Sequence, residues 1–399
     1  DDVSAALAAH YEQAGERAQA VHFYRRAGRV AAAVLAHDEA VRLLREALNA
    51  LDAGPSGPER NRIELGLQSD LSASLTVLQG YASPELEASL ERMQRLGEAL
   101  QEPQAVVRSL HGLLSVHFVR GDIAGAHAAA EQSLAMAEGE AERALLADSH
   151  FFLAGMLFTL GRPAEARAHF DEARALADVE RLHATVLGTN LLVFSQSWEA
   201  HALWALGDQA AAGARTAAAL ALADRLEHPH SQALAHAYAA LVAQMLGRFD
   251  AAWLHAEAAR SLCSRYGIAY YGEWGTIIRG WVQAKRDRLA SGIDEIRLGL
   301  ENLRVQRAEV RRPYYLALLA EAYLAHDRPE EAGATLDAAL STANQRRELW
   351  WLPELHRLRS RTVPAGERAD RLRLALRLAD EQGSVALAQR AARDLARLT

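Results

Sequence analysis

The chain has a single cysteine, Cys263, so no disulfide can form within it, which suits a reducing compartment. It has one lysine, Lys285, which follows Val282-Gln283-Ala284 in a helical pattern with no glycine loop before it. A phosphate-binding loop needs Gly-x4-Gly-Lys-Ser/Thr, whose amides cradle phosphate while the lysine balances its charge, so this stretch carries no nucleotide-hydrolysing engine of that type. No uninterrupted apolar run reaches the ~18 residues that span a bilayer, and the charged-then-apolar start of a signal peptide is missing. β-Branched residues are scarce and no strand pattern is visible, which removes the β-rich scaffold a nucleotide cyclase would need. The formal net charge of -7 argues against a general nucleic-acid binder. The chain opens at Asp1, without an initiator Met and already inside a helical pattern, and reads as a piece of a longer protein.

What is present is a repeat. A Gly or Asp in a tight turn is followed five positions later by a small residue, at Gly15/Ala20, Gly121/Ala126, Gly161/Ala166, Gly207/Ala212, Gly247/Ala252, Asp287/Gly292 and Asp327/Ala332. From Gly121 onward the steps are 40, 46, 40, 40 and 40 residues. Self-similarity at such a period marks a solenoid, which offers a long surface for recognition. Half of the residues are hydrophobic, enough to bury a continuous core, and the Ala, Leu, Arg and Glu content favours helices.

Each period reads as two helices and a turn. Between Gln232 and Leu246 the apolar positions Leu234, Tyr238, Leu241, Val242 and Met245 fall three and four apart, lining one helix face. Gly247 ends that helix, because glycine tolerates the left-handed conformation of a C-terminal cap. A small residue at Ala126, Ala166, Ala212 and Ala252 lets the returning helix cross closely. The segment Ala53-Gly54-Pro55-Ser56-Gly57-Pro58 breaks the helical pattern. The expected organisation is a compressed N-terminal group of hairpins over 1–52, a regular array over 59–362, and capping helices over 363–399. The fold class is all-α: a right-handed superhelical solenoid of helical hairpins with repeats of about forty residues.

The Gly-x-aromatic-x-x-Ala turn from Gly247 to Ala252 resembles the tetratricopeptide repeat, whose usual period is 34 residues. The longer step resembles the sensor arrays of the MalT-like group. Further strings extend the likeness: Gly80-Tyr81-Ala82-Ser83-Pro84-Glu85, His117 to Asp122, Gly275 to Trp281, Arg312 to Glu321 and Trp350 to Leu358. Together they are similar to the C-terminal region of bacterial STAND-type signalling ATPases, where a cyclase or DNA-binding domain precedes the ATPase and the helical array follows. The resemblance implies a non-catalytic, cytoplasmic regulatory module with no cofactor. It would bind a protein, a peptide or a small effector in its concave groove, or act on the ATPase module of its own chain. Direct nucleic-acid binding and membrane contact are not expected, and homo-oligomers are compatible with it. A constitutive interaction scaffold without a ligand switch is the alternative.

Two clusters are candidates for the groove. The first holds Tyr266, Tyr270, Tyr271, Trp274 and Trp281, with Arg279 between the tryptophans. The second holds Arg312, Tyr314, Tyr315, Trp350, Trp351, Glu354 and His356. Tyrosine and tryptophan at helical spacing usually pack, and they are also enriched at binding hot spots. If first helices line the concave side, both clusters face one groove. The run Arg304, Arg307, Arg311 and Arg312 is interrupted by Glu301 and Glu309 and reads as a solvated helix face. His228, His230 and His236 have no metal-ligand spacing and read as loop histidines, with no metal site, while Cys263 reads as a buried small hydrophobe.

Overall fold

The structure, a computed structural model, describes residues 2–139, 142–176, 185–186 and 189–398. Among these residues twenty α-helices follow one another as antiparallel hairpins and wind into a right-handed superhelix. The turns explain the repeat. Gly121, Gly161, Gly207 and Gly247 adopt φ of +79°, +79°, +88° and +69°, the left-handed caps that a side chain would strain. Ala126, Ala166, Ala212 and Ala252, five positions on, have no solvent exposure because the paired helices touch there. Asp122 and Asp208 cap the second helices by accepting from the amides of Gly125 (3.0 Å) and Ala211 (2.9 Å). Ser83 does the same for Leu86 (3.3 Å), one residue before a proline at the first helical position. Pro58, read above as part of a loop, likewise opens the helix Pro58–Gln79.

Inner and outer helices alternate. The inner ones include Arg17–Ala33, Pro58–Gln79, Pro103–Val119, Arg143–Thr159, Leu191–Ala205, Pro229–Met245, Tyr271–Lys285, Arg312–Ala325 and Leu352–Arg359. Nearly every residue of Pro229–Met245 is buried, so this helix is covered all round. Its outer partner Phe249–Tyr266 buries only Ala252, Ala256, Ala259 and Cys263 and keeps a polar outer face.

The irregular step from Gly161 to Gly207 falls on the link between the helices Pro163–Leu176 and Leu191–Ala205. This link contains the one departure from pure helix seen in the described residues, the two-residue strands Thr185–Val186 and Thr189–Asn190, paired antiparallel. Its end turns inward. The Thr189 hydroxyl lies 2.8 Å from Tyr81 Oη and 3.1 Å from His230 Nδ1, and the amide of Asn190 donates to Ser231 Oγ (3.1 Å).

The superhelix is tight enough to touch itself. Ala269 N donates to the carbonyl of Val77 (3.4 Å), Val310 N to Val119 (3.0 Å) and Trp350 N to Thr159 (3.2 Å). Each acceptor ends an inner helix, or lies near its end, and each donor precedes the inner helix five hairpins later. Five hairpins therefore make one superhelical turn. The last helices, Ala365–Glu381 and Val385–Ala396, join this second turn: Arg390 donates to the carbonyl of Met245, and Val385 packs on Gly207.

Candidate binding site

The tight pitch decides what becomes of the two aromatic clusters. Inner helices do bring them together: Trp274 lies 5.2 Å from Tyr238 and 6.3 Å from Tyr315, and Tyr314 lies 5.3 Å from Trp350. They do not line an open groove, because the preceding superhelical turn fills it. Tyr270 and Tyr271 meet Tyr81, Trp350 meets Phe158, and Trp351 meets Trp204, at ring separations of 5.1 to 6.5 Å. Tyr314 Oη donates to Gln244 Oε1 (2.6 Å). Tyr314 and Tyr315 are 0% exposed, and Tyr270, Tyr271, Trp274, Trp350 and Trp351 are buried as well. The cavity left among Tyr81, Trp198, Tyr238, Tyr271 and Trp274 measures about 20 Å³, room for about one water molecule. The expected recognition groove is thus a packed interior in this structure.

The charged members of the expected site go elsewhere. Arg279, five positions from Trp274, points between outer helices, where it pairs with Glu295 and with Glu257 (2.8 Å) and lies over Trp253. Arg312 stays near the surface beside Glu309 (3.7 Å). Glu354 is buried between Arg357 and Arg390. Burial alone would raise its pKa, but the two guanidinium charges outweigh that and hold it at about 2. His356 is half-buried, and burial lowers it to about 4.

The arginine that does enter the interior is Arg311, read above as part of a solvated face. It adopts φ +63° and so turns its side chain inward between successive superhelical turns. It is 2% exposed, with its guanidinium 4.9 Å from the ring of Trp274 and 5.1 Å from that of Tyr238. Its Nη2 donates to Tyr238 Oη (3.2 Å), and its backbone amide donates to Glu348 (3.0 Å). Burial pushes Glu348 up to about 7, against the pull of Trp350 Nε1 and the Arg311 charge.

The three histidines of the loop region do not converge. His228 Nδ1 caps its own helix at Ser231, and His230 is buried against Tyr271 and Thr189. His236 faces His255 across its hairpin (3.1 Å), as His150 faces His169 (2.9 Å). Cys263 is buried, and its thiol is pushed up to about 12, which leaves it unreactive at neutral pH.

An open concave face exists elsewhere, on the first superhelical turn. Three adjoining hollows of about 580, 410 and 530 Å³ run across the inner helices Arg17–Ala33, Pro58–Gln79 and Pro103–Val119. The first two share Ser69, Met93 and Arg108, and the third, lined by the helix Arg17–Ala33 alone, meets the first at Arg25 and the second at Arg29 and Ala33, so they form one trough. Gly66, Ser69 and Ala73, three and four apart on the inner helix Pro58–Gln79, line it. A side chain at position 66 would start 2.5 Å from Arg25 Nη2, so glycine there lets the guanidinium lie across the inner helix. Sequence reading passed over this trough, although Arg25, Arg26 and Arg29 sit three and four apart on one helix face in an acidic chain.

No protein-family model matches the chain. It is 30% identical over 244 residues to an uncharacterised protein of Rhizobium meliloti (strain 1021), a match that covers 59% of this chain and 24% of that protein. The chain therefore spans about a quarter of the length of the curated relative it matches. Among solved structures it is similar to a Rap protein complexed with competence and sporulation factor, with 12% identity, a TM-score of 0.58, and coverage of 95% of this chain and 97% of the other. It is also similar to a STAND protein with a tetratricopeptide repeat sensor from Pyrococcus horikoshii, with 13% identity, a TM-score of 0.47, and coverage of 84% and 49%. At these identities the likeness is one of fold: the chain is a tetratricopeptide-like helical repeat array.

Proposed function

We propose that this array is a non-catalytic recognition module of a longer bacterial signal-transduction protein, and that it binds a protein segment in the concave trough of its first turn. One observation carries the reading. The trough stays open over hundreds of Å³, while the interior between the two turns is filled by aromatic side chains from both. A repeat array has its recognition surface where its concave face is free. The short span relative to the longer relative supports a module rather than a whole signalling protein. In the finer form of this proposal the module is cytoplasmic and the parent protein is a STAND-type ATPase of MalT-like organisation. The partner is then another protein or the ATPase module of the same chain. A sensor requires the partner to bind one state of the array more tightly than the other. The inter-turn hydrogen bonds favour the alternative in one respect, since they brace the array as a fixed scaffold.

The test is steric. Immobilised wild-type protein and Ala73→Trp, which fills the trough without altering charge, are used to capture proteins from native lysate. A species held by the wild type and lost with an equally stable variant supports the reading. Equal capture by both refutes the trough. Nucleotide-dependent capture in the intact parent protein then separates sensor from scaffold.

A further inference from the structure

The chemistry of the trough narrows its occupant, given the reading above that the trough is the recognition face. Five arginines line it (Arg25, Arg26, Arg29, Arg62 and Arg108) against two carboxylates, Asp70 and Glu102. The chain as a whole carries a net charge of -7, so positive charge is concentrated here against the general balance. Arg25 is partly neutralised by Asp70 (2.7 Å), Arg62 by Glu102 (3.3 Å) and Arg108 by Glu142 (3.0 Å). Arg26 and Arg29 pair with no carboxylate among the described residues, and both are exposed. Arg26 and Arg29, three apart on one helix face, repel one another, a cost that an anionic ligand relieves.

The rest of the lining chooses between kinds of anion. Apart from histidine, no aromatic side chain lines the trough, so a single strand of nucleic acid would find no stacking platform. Aliphatic side chains do line it, at Val30, Leu65, Val77 and Met93, between the arginines. Its hollow of about 410 Å³ is also lined by Ser74, 1% exposed and with an unpartnered hydroxyl, and by His37, whose Nδ1 is unpartnered. Burial lowers the pKa of His37, which keeps it neutral and able to hydrogen-bond a peptide group. A buried polar atom without a partner is a natural contact for a ligand's main chain. The trough crosses three inner helices, about 20 Å at usual helix spacing, which matches about six or seven extended residues.

We propose that the trough binds an extended acidic segment of a protein partner. Glutamates or aspartates of that segment pair with Arg26 and Arg29, and its aliphatic side chains lie between them. The test uses fluorescence anisotropy with a labelled twelve-residue peptide of alternating Glu and Leu, its Glu→Gln counterpart, and a twelve-nucleotide oligouridylate. The acidic peptide should bind at least tenfold more tightly than the Gln peptide and the RNA, and weaken at least tenfold between 50 and 300 mM salt. The double variant Arg26→Glu, Arg29→Glu should bind it at least tenfold more weakly at an unchanged melting temperature. The control Arg373→Glu, Arg397→Glu, on exposed arginines outside the trough, should bind as the wild type does. Equal binding of the acidic and Gln peptides, insensitivity to the double reversal, or tighter binding of the RNA overturns the proposal. If such a result coincides with partner capture that Ala73→Trp abolishes, the trough remains the recognition face and only its acidic specificity is lost.

Discussion

The first hairpins of the array and those that follow are built to the same plan, yet the first leave their concave face open while the later inner helices of both turns have filled theirs. The inner helix Arg17–Ala33 presents Arg26 and Arg29 to solvent. The inner helix Arg312–Ala325 buries Tyr314 and Tyr315, with no solvent exposure, against Gln244, Trp274, Trp350 and Trp351. The difference teaches that concavity in a repeat array is not a property of the repeat. It depends on whether another turn arrives to occupy it, and on whether the inward side chains suit rings or water.

The largest effect that separates the two regions is a truncation. Trp351→Ala removes a ring packed on Trp204, Tyr314 and Trp350, and should cost about 3–5 kcal/mol. Ala73→Trp, in the open trough, should change stability by less than about 1 kcal/mol. Urea unfolding of both variants checks this, and equal costs would mean that the trough is packed as tightly as the interior.

Acidification should act next. Burial lowers His230 to about 3, so the folded state refuses a proton that the unfolded state accepts below about 6.5. Its contribution to stability is full above that value and falls as the pH drops toward 3, by about 2 kcal/mol at pH 5. His230→Gln should flatten the acid limb of a stability–pH curve by that amount, and an unchanged slope would show that His230 does not set it. Glu348 runs the other way. Its pKa is raised to about 7, so its contribution is full below the unfolded carboxyl value and is lost as the pH rises through about 7. Glu348→Gln should therefore stabilise the protein at pH 8 relative to wild type while having little effect at pH 4.

The smallest effect sharpens the comparison at single turns. Gly247→Ala meets no atom within 4 Å and pays only for its left-handed φ, about 1–2 kcal/mol. Gly207→Ala adds a contact 2.9 Å from Val385 of the closing helix and should cost more. Equal melting temperatures would show that the closing helix yields freely there.

Much of the fold was legible because it is local. A glycine cap with a small residue five positions later is dictated within one hairpin, and the forty-residue step follows from hairpin length. The gathering of the aromatics was legible too, through the period that places Tyr271, Arg311 and Trp351 in register. Their enclosure was not, since it depends on a small rotation accumulated over five hairpins. Arg279 misled because five positions along a helix rotate a side chain by about 140°, away from the face of Trp274. Arg311 misled because one left-handed residue reverses the direction its neighbours indicate. The trough arginines were visible as a pattern, but only the open geometry around them gives that pattern a meaning.

The hydrogen bond from Ala269 to Val77 has a consequence for how the chain is made. An array whose units touch only their neighbours can fold progressively from its first unit onward, with short-range contacts and low contact order. Here Val77 must wait for Ala269, then Val119 for Val310 and Thr159 for Trp350, each about 190 residues further along. At ribosomal speeds of about 5–20 residues per second, each wait lasts roughly 10–40 seconds. During that time the aromatic faces of the earlier inner helices stand uncovered, and they become a core only when the later half of the chain returns to them.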